Sequence, residues 1–283
     1  MGRPVAMVTG ASAGIGAAFA RQLSARGNDL VLVARGADRL ALLGHELERA
    51  HGVAVEVVGA DLTSPDGIAR VEARLADGVR PVDLLVNNAG TGTMGKFWEL
   101  PVDAEMSEIT LNVIALVRLT HAALGPMVAR DRGGVINVSS VSAYQPVPLN
   151  ATYGATKAFV SSFSNAVREE LRGTNVKLMV VVPGFTHTEF QDRSFGPTDV
   201  PEFVWQSADA VATAALRAYD RGRTVCITGA LNTATVAASS VMPAAVMRRV
   251  TAFVTRFIYG SNAESNAESN AGSNAGSDAG TSS

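Results

Sequence analysis

Cysteine is almost absent: Cys226 is the single one in 283 residues. No internal disulfide can staple this chain, so packing must hold it, and the usage fits a reducing compartment. Aromatic residues are scarce at 6% and charged ones modest at 18%, against 47% hydrophobic. Such a composition describes an aliphatic core rather than a disordered or highly charged chain. Neither sign of charge dominates, with 24 Lys and Arg against 26 Asp and Glu for a net −2. That balance gives no bulk attraction to nucleic acid, and no nucleic-acid partner is expected. The histidines His45, His51, His121 and His187 show no ligand spacing, so no metal is expected. No basic segment or long apolar run precedes the first strand pattern, Pro4–Val8, and a cytoplasmic location is the expectation.

What is present is alternation. Apolar runs typical of strands recur near Val5–Thr9, Asp29–Val33, Ala54–Gly59, Val82–Asn87, Gly134–Val138, Val176–Val182 and Thr224–Thr228. Between them lie helical periods over Ile15–Arg26, Asp38–Ala50, Pro65–Ala76, Ala104–Val128, Thr152–Leu171 and Ala208–Tyr219. The runs Leu84-Leu85-Val86 and Leu178–Val182 lack a polar face, which predicts burial on both sides by helices. The pattern predicts an α/β fold, a doubly wound parallel sheet of seven strands in a single domain over residues 1–229.

The first strand runs into Thr9-Gly10-Ala11-Ser12-Ala13-Gly14-Ile15-Gly16 and then directly into a helix. A glycine turn there lets backbone N–H groups and the helix dipole approach a pyrophosphate. No Gly-Lys-Ser/Thr follows, which excludes a Walker-type triphosphate loop. The second strand ends in Val33-Ala34-Arg35. Where an acid would accept from a ribose 2′-OH, a guanidinium is suited to a 2′-phosphate, with Ser12 able to add a hydroxyl. Asp61-Leu62 after the third strand fits either an adenine contact or a helix-capping turn, and Asn87-Asn88-Ala89-Gly90 closes the fourth with small residues suited to close nucleotide approach. Tyr153 and Lys157 stand one turn apart at the start of a helix. An ammonium so placed favours the phenolate, making the tyrosine a usable proton donor and acceptor near neutral pH. Val138-Ser139-Ser140 stands at a strand's carboxyl end just before them.

Taken in order, Thr9-Gly10-x3-Gly14-x-Gly16, Asp61-Leu62, Asn87-Asn88-Ala89-Gly90, Asn112, Ser140, Tyr153-x3-Lys157 and Pro183-Gly184-x3-Thr188 resemble the short-chain dehydrogenase/reductase family, in its compact branch. The resemblance spans residue 4 to about 229. It implies a Rossmann-type sheet and an NADP(H)-dependent oxidoreductase that interconverts a carbonyl and an alcohol. It implies that Asn112, Ser140, Tyr153 and Lys157 form the reacting centre: Ser140, thirteen residues before Tyr153, holds the substrate oxygen and Tyr153 exchanges its proton. Lys157 would bind the nicotinamide ribose and Asn112 a relay water. The implied cofactor contacts are Gly10, Ser12, Gly14, Ile15, Gly16, Arg35, Asp61, Leu62, Asn88, Ala89, Gly90, Tyr153, Lys157, Pro183, Gly184, Thr186 and Thr188. Ala34-Arg35 looks like the NADP-preferring subset, and a homodimer or homotetramer is expected. The competing reading is an NADP-binding sensor that has lost turnover, which would be expected to lack part of the Asn–Ser–Tyr–Lys set; none is missing.

Residues 230–260 exceed the family's short ending. They carry no acid, and Pro243 is placed to open a helix to Tyr259 with Val246, Val250, Phe253, Val254 and Phe257 on one face. The expectation is a face docked on the domain or a partner subunit, with a lid or a peripheral membrane contact through 243–259 as the alternative, aided by Arg248, Arg249 and Arg256. This apolar stretch also points to a substrate with an apolar tail. Residues 261–283 repeat Ser-Asn-Ala with Glu or Gly, contain no large apolar residue, and are expected to be a disordered tail. Residues 185–206, rich in Phe and Pro, are expected as a substrate flap or a long loop.

Overall fold

The computed structural model describes residues 2–195, 200–243 and 245–255. Its backbone alternates as the apolar periods require: β1 (Val5–Thr9), α1 (Gly14–Ala25), β2 (Asp29–Ala34), α2 (Ala37–His51), β3 (Val55–Gly59), α3 (Pro65–Leu75) and β4 (Leu84–Asn87). Then come α4 (Val102–Ile109), a π-helical turn (Thr110–Ala115), α5 (Leu116–Ala129), β5 (Gly133–Val138), α6 (Ala151–Glu170) and β6 (Val176–Val182). A short pair, β7 (Thr186–His187) and β8 (Gln206–Ser207), brackets α7 (Glu189–Phe195), and α8 (Ala208–Asp220), β9 (Val225–Ile227) and α9 (Ala230–Val241) follow. A last helix, α10, covers residues 245–255.

Seven strands pair in parallel in the order β3-β2-β1-β4-β5-β6-β9. The register places Ala6 beside Leu84 and Asn87 beside Asn137. Side chains alternate across this sheet, so each strand supplies two cores. Ala6, Val8, Leu30, Leu32, Ile136 and Met179 meet Phe19 of α1 and Val211 and Leu216 of α8. Met7, Leu85, Val135 and Leu178 face Ile68 of α3 and Leu119 and Met127 of α5. The strands without a polar face are therefore covered on both sides, as their sequence requires. From Val102 to Ala129 the helix is as long and apolar as one that crosses a membrane, yet α5 lies against β5 and α3.

The C-terminal extension differs from its sequence expectation. It holds two helices, and α10 turns the expected inner face outward: Val246, Val250, Phe253 and Val254 are exposed, whereas Met247, Thr251 and Thr255 are buried. Threonine suits the inner face because its hydroxyl can be satisfied within the helix; Thr251 Oγ1 donates to Met247 O at 2.9 Å. Arg248 and Arg249 are exposed as well. Phe257, Arg256, Tyr259 and the expected tail lie outside the described residues.

Candidate active site

The strand order reverses between β1 and β4, and a crevice outside the carboxyl ends of a doubly wound sheet lies at such a reversal. Six of the sequence's motif positions sit at such an end: Gly10 after β1, Arg35 after β2, Asp61 after β3, Asn88 after β4, Ser140 after β5 and Thr186 after β6.

At the nucleotide end the backbone does the building. Gly10 and Gly14 have φ of +66° and +55°, conformations that side chains disfavour. A Cβ on Gly16 would stand 2.2 Å from Gly10 O, so α1 can leave the turn at this angle only from a glycine. Ala13 caps α1 without a side-chain hydrogen bond, and no acid occupies the first turn. The turn therefore presents backbone N–H groups and a positive helix end with no side chain answering them. Thr9 ties this loop to β4: its Oγ1 accepts from Asn88 N at 3.0 Å and Ala89 N at 3.1 Å. Asn88 returns the tie, donating from Nδ2 to Thr9 O at 3.0 Å and Gly10 O at 3.3 Å. The amide of Asn88 is thus spent on shaping the glycine turn.

Arg35 is exposed at the end of β2 and makes no hydrogen bond or ion pair among the described residues. Its field reaches Asp61, whose carboxyl is held below its ordinary value, first by the Thr63 backbone N–H and then, against burial, by the Thr63 hydroxyl and Arg35. Asp61 Oδ1 accepts from Thr63 N at 2.9 Å and Thr63 Oγ1 at 2.7 Å, so the capping-turn reading holds for that oxygen. Leu62 is buried in the core beneath, and Ile15 packs half-buried against the other core. Thr188 reaches the glycine turn, its methyl 2.9 Å from where a Gly14 Cβ would stand. Pro183 O accepts from Val141 N at 2.9 Å, and Gly184 admits the amide of Asn232 from α9. Thr186 is buried and donates to Gly184 O at 3.0 Å.

At the end that holds Tyr153, side chains are buried instead. Tyr153 and Lys157 lie on the first turns of α6, with the Lys157 Nζ 5.6 Å from the phenol ring centre. Lys157 is 5% exposed and donates to Val138 O at 3.0 Å. Burial pushes its pKa down to about 8, and the nearby Glu108 carboxylate pulls the other way. Ser140 is 8% exposed, and its Oγ accepts from Ser142 N at 3.1 Å. Ser139 has a structural hydroxyl, donating to Lys157 O at 2.8 Å. Asn112, in the π turn, accepts from Thr91 N at 3.0 Å through Oδ1 and donates to Thr91 O at 2.8 Å and Thr156 Oγ1 at 3.1 Å.

Four residues escaped the sequence reading. Phe190 of α7 lies 5.8 Å from Tyr153, ring to ring, and so forms a wall beside that phenol. Asn232 packs on Gly184, and no motif signals it. Glu105 and Glu108 are buried on α4. Glu108 stands four residues before Asn112, and that spacing was the available signal.

Residues 4–197 match the family profile described as short chain dehydrogenase. The chain is 37% identical over 193 residues to serine 3-dehydrogenase from Agrobacterium fabrum, covering 65% of this chain and 72% of that protein. Its fold matches a short-chain dehydrogenase from Sphingobium yanoikuyae in complex with NADPH, at 37% identity and a TM-score of 0.77 over 85% of this chain and 96% of that one. It also matches a short-chain dehydrogenase/reductase from Burkholderia phymatum in complex with NAD, at 26% identity and a TM-score of 0.73 over 83% and 92%.

Proposed function

This chain belongs to the short-chain dehydrogenase/reductase family, and from that premise we propose that it is an NADP(H)-dependent enzyme interconverting a carbonyl and an alcohol, with Tyr153 as general acid and base. The observation that carries the reading is the buried Lys157 one turn beyond Tyr153, at the carboxyl end of β5 beside Ser140. An ammonium there stabilises the phenolate that forms as Tyr153 gives its proton to a nascent alkoxide. Ser140 holds the substrate oxygen, and Asn112, fixed by Thr91 and Thr156, orders the groups behind Lys157. When bound, the nicotinamide supplies or accepts the hydride.

The residues present fit that cofactor. The uncapped α1 terminus and its glycine turn would take the pyrophosphate, Thr186 and Thr188 the nicotinamide end, and Arg35 a 2′-phosphate. Arg35, exposed, unpaired among the described residues and with no acid before it, favours NADP(H) over NAD(H). The Phe190 wall fits a bulky apolar carbonyl compound better than a small polar one. A cytoplasmic homo-oligomer is part of the same reading, as is contact of the outward face of α10 with anionic lipid through Val250, Phe253, Arg248 and Arg249. The test is a panel of ketones and aldehydes assayed by NADPH absorbance with the full chain and with Tyr153→Phe. Turnover by the parent that the variant loses supports the reading. No turnover on any ketone, or equal turnover by both proteins, overturns it.

A further inference from the structure

Behind the reacting centre, the segment that leaves β4 is fastened to the long helix at two successive points. Thr91 clamps Asn112 through both its backbone groups. Two residues on, Thr93 clamps Glu108, its N–H donating to Oε2 at 2.9 Å. Between β4 and these clamps is Gly90, where a Cβ would stand 3.1 Å from Asn112 Oδ1 and 3.5 Å from Lys157 Nζ. Asn112 and Lys157 therefore converge over one glycine, and Glu108 lies one helical turn behind Asn112.

Glu108 is 0% exposed, and its Oε1 is buried without a partner among the described residues. The hydrogen-bond count around Thr93 adds a constraint. Its hydroxyl lies 2.5 Å from Glu105 Oε1 and 3.0 Å from Glu108 Oε2. That hydroxyl has one proton, which the shorter contact takes; the longer one is strongest when Glu108 is protonated and donates to the Thr93 oxygen. Glu105 is anchored on its other side by Thr152, whose hydroxyl donates to Oε2. The geometry thus gives Glu108 a place for a proton and, once that proton leaves, puts a carboxylate within the field of a buried ammonium.

We propose that Glu108 is the internal counter-charge of Lys157: protonated it is silent, and ionised it holds the ammonium on Lys157 against the cost of burial. The inference rests on the reading of Lys157 given under Proposed function, and it makes Glu108 a positioning residue that acts through Lys157. The pKa of Glu108 is pushed up to about 7, chiefly by burial, with Thr93 hydrogen bonds opposing, Glu105 adding to the rise and Lys157 countering it. The titratable groups facing the pair are Glu105 on α4 and Tyr153 on α6; Glu108 is the one charged group shifting Lys157 among the described residues. The two sites are coupled, so each one's loss of a proton changes the other's affinity.

The chain suits a direct measurement because it has three lysines, Lys96, Lys157 and Lys177. With 13C-labelled lysine in the full-length protein, the three side-chain signals are followed from pH 5 to 11 by NMR, and Lys157→Gln identifies the signal of interest. Glu108→Gln keeps the volume and an acceptor for Thr93 while removing the charge. The Lys157 midpoint is expected to fall by at least ~1 pH unit in this variant, the shift typical of losing one opposite charge nearby, and the alkaline limit of turnover should fall with it. An unmoved midpoint in a folded Glu108→Gln overturns the proposal. If that variant does not fold, the parent alone decides: the Lys157 signal should respond at the pH where the Glu108 carboxyl titrates, and a flat response there overturns it. These titrations need no substrate, so a protein that reduced no carbonyl would fail the Proposed function while leaving this inference to its own result.

Discussion

The two ends of the crevice are built from opposite materials. At the nucleotide end, Gly10, Gly14 and Gly16 remove side chains so that backbone N–H groups can face a ligand, and Thr9 and Asn88 lock that backbone in place. At the reacting end, Lys157, Glu105, Glu108 and Asn112 are side chains forced into the interior, each held by neighbours. The first end has a shape that any substitution distorts. The second has charges that a substitution can change without moving an atom. Binding and turnover should therefore fail separately, and pH should act on one end and spare the other.

The largest expected effect tests the shape. Gly16→Ala places a methyl 2.2 Å from Gly10 O and forces the turn to move. NADPH affinity should fall at least ~100-fold, the equivalent of about one strong charge-assisted hydrogen bond or two weaker ones; calorimetry showing an unchanged Kd would break the contrast. Tyr153→Phe should do the reverse, keeping NADPH affinity within about twofold while turnover falls at least ~100-fold, the range for removing a general acid. Next comes the double change Ala34→Asp with Arg35→Ile. By adding a 2′-OH acceptor and removing the 2′-phosphate partner, it should move the ratio of NADP(H) to NAD(H) efficiency by about tenfold or more. A parent that already favours NADH would refute the reading of Arg35.

A smaller effect sharpens the comparison through pH. The Glu108 pKa is raised above its unfolded value of 4.5 to about 7. Its contribution to stability is therefore fully present below about 4.5 and lost as pH rises through about 7. Melting temperature should decline across that window in the parent and decline less in Glu108→Gln, as scanning calorimetry would show. The smallest effect belongs to α10. Phe253, 73% exposed, replaced by Ser should leave the melting temperature unchanged within about 1 °C, while weakening sedimentation with anionic vesicles. A large loss of stability or a change of oligomeric state would mean that the face is covered by protein.

Much of this was legible in the chain. The ends of β1 and β6 fall where their apolar runs end, because a strand covered on both faces is apolar along most of its length; exposed Lys177, near the start of β6, is the exception. The motif residues were legible because most occupy a strand's carboxyl end and Tyr153 and Lys157 one turn of α6, placements that local order along the chain fixes. The stretch after β6 was less so: Gln206 N donates to Phe185 O at 3.0 Å where β7 and β8 meet, a contact that no local period encodes. α10 misled for a different reason. Its period was correct, but a period reveals that two faces differ and not which one is covered. Glu105 and Glu108 carry no motif in the chain, since only the fold brings Thr93 and Lys157 to them.

The π turn at Thr110–Ala115 makes the long helix sensitive to length in a way its composition does not suggest. A π turn holds one more residue than an α turn, so deleting a single residue there would let the helix resume its ordinary pitch. The turn has absorbed its extra residue, so its flanks would stay in phase, whereas the same deletion within α5 would rotate everything upstream by about 100° relative to everything downstream. In that second case Glu105 and Glu108 would swing out of phase with Lys157, although neither they nor Lys157 had been replaced. Exposed Ile114 should accept many substitutions, and a one-codon deletion beside it should cost far less than one within α5: outside the π turn the count of residues is constrained more tightly than their identity.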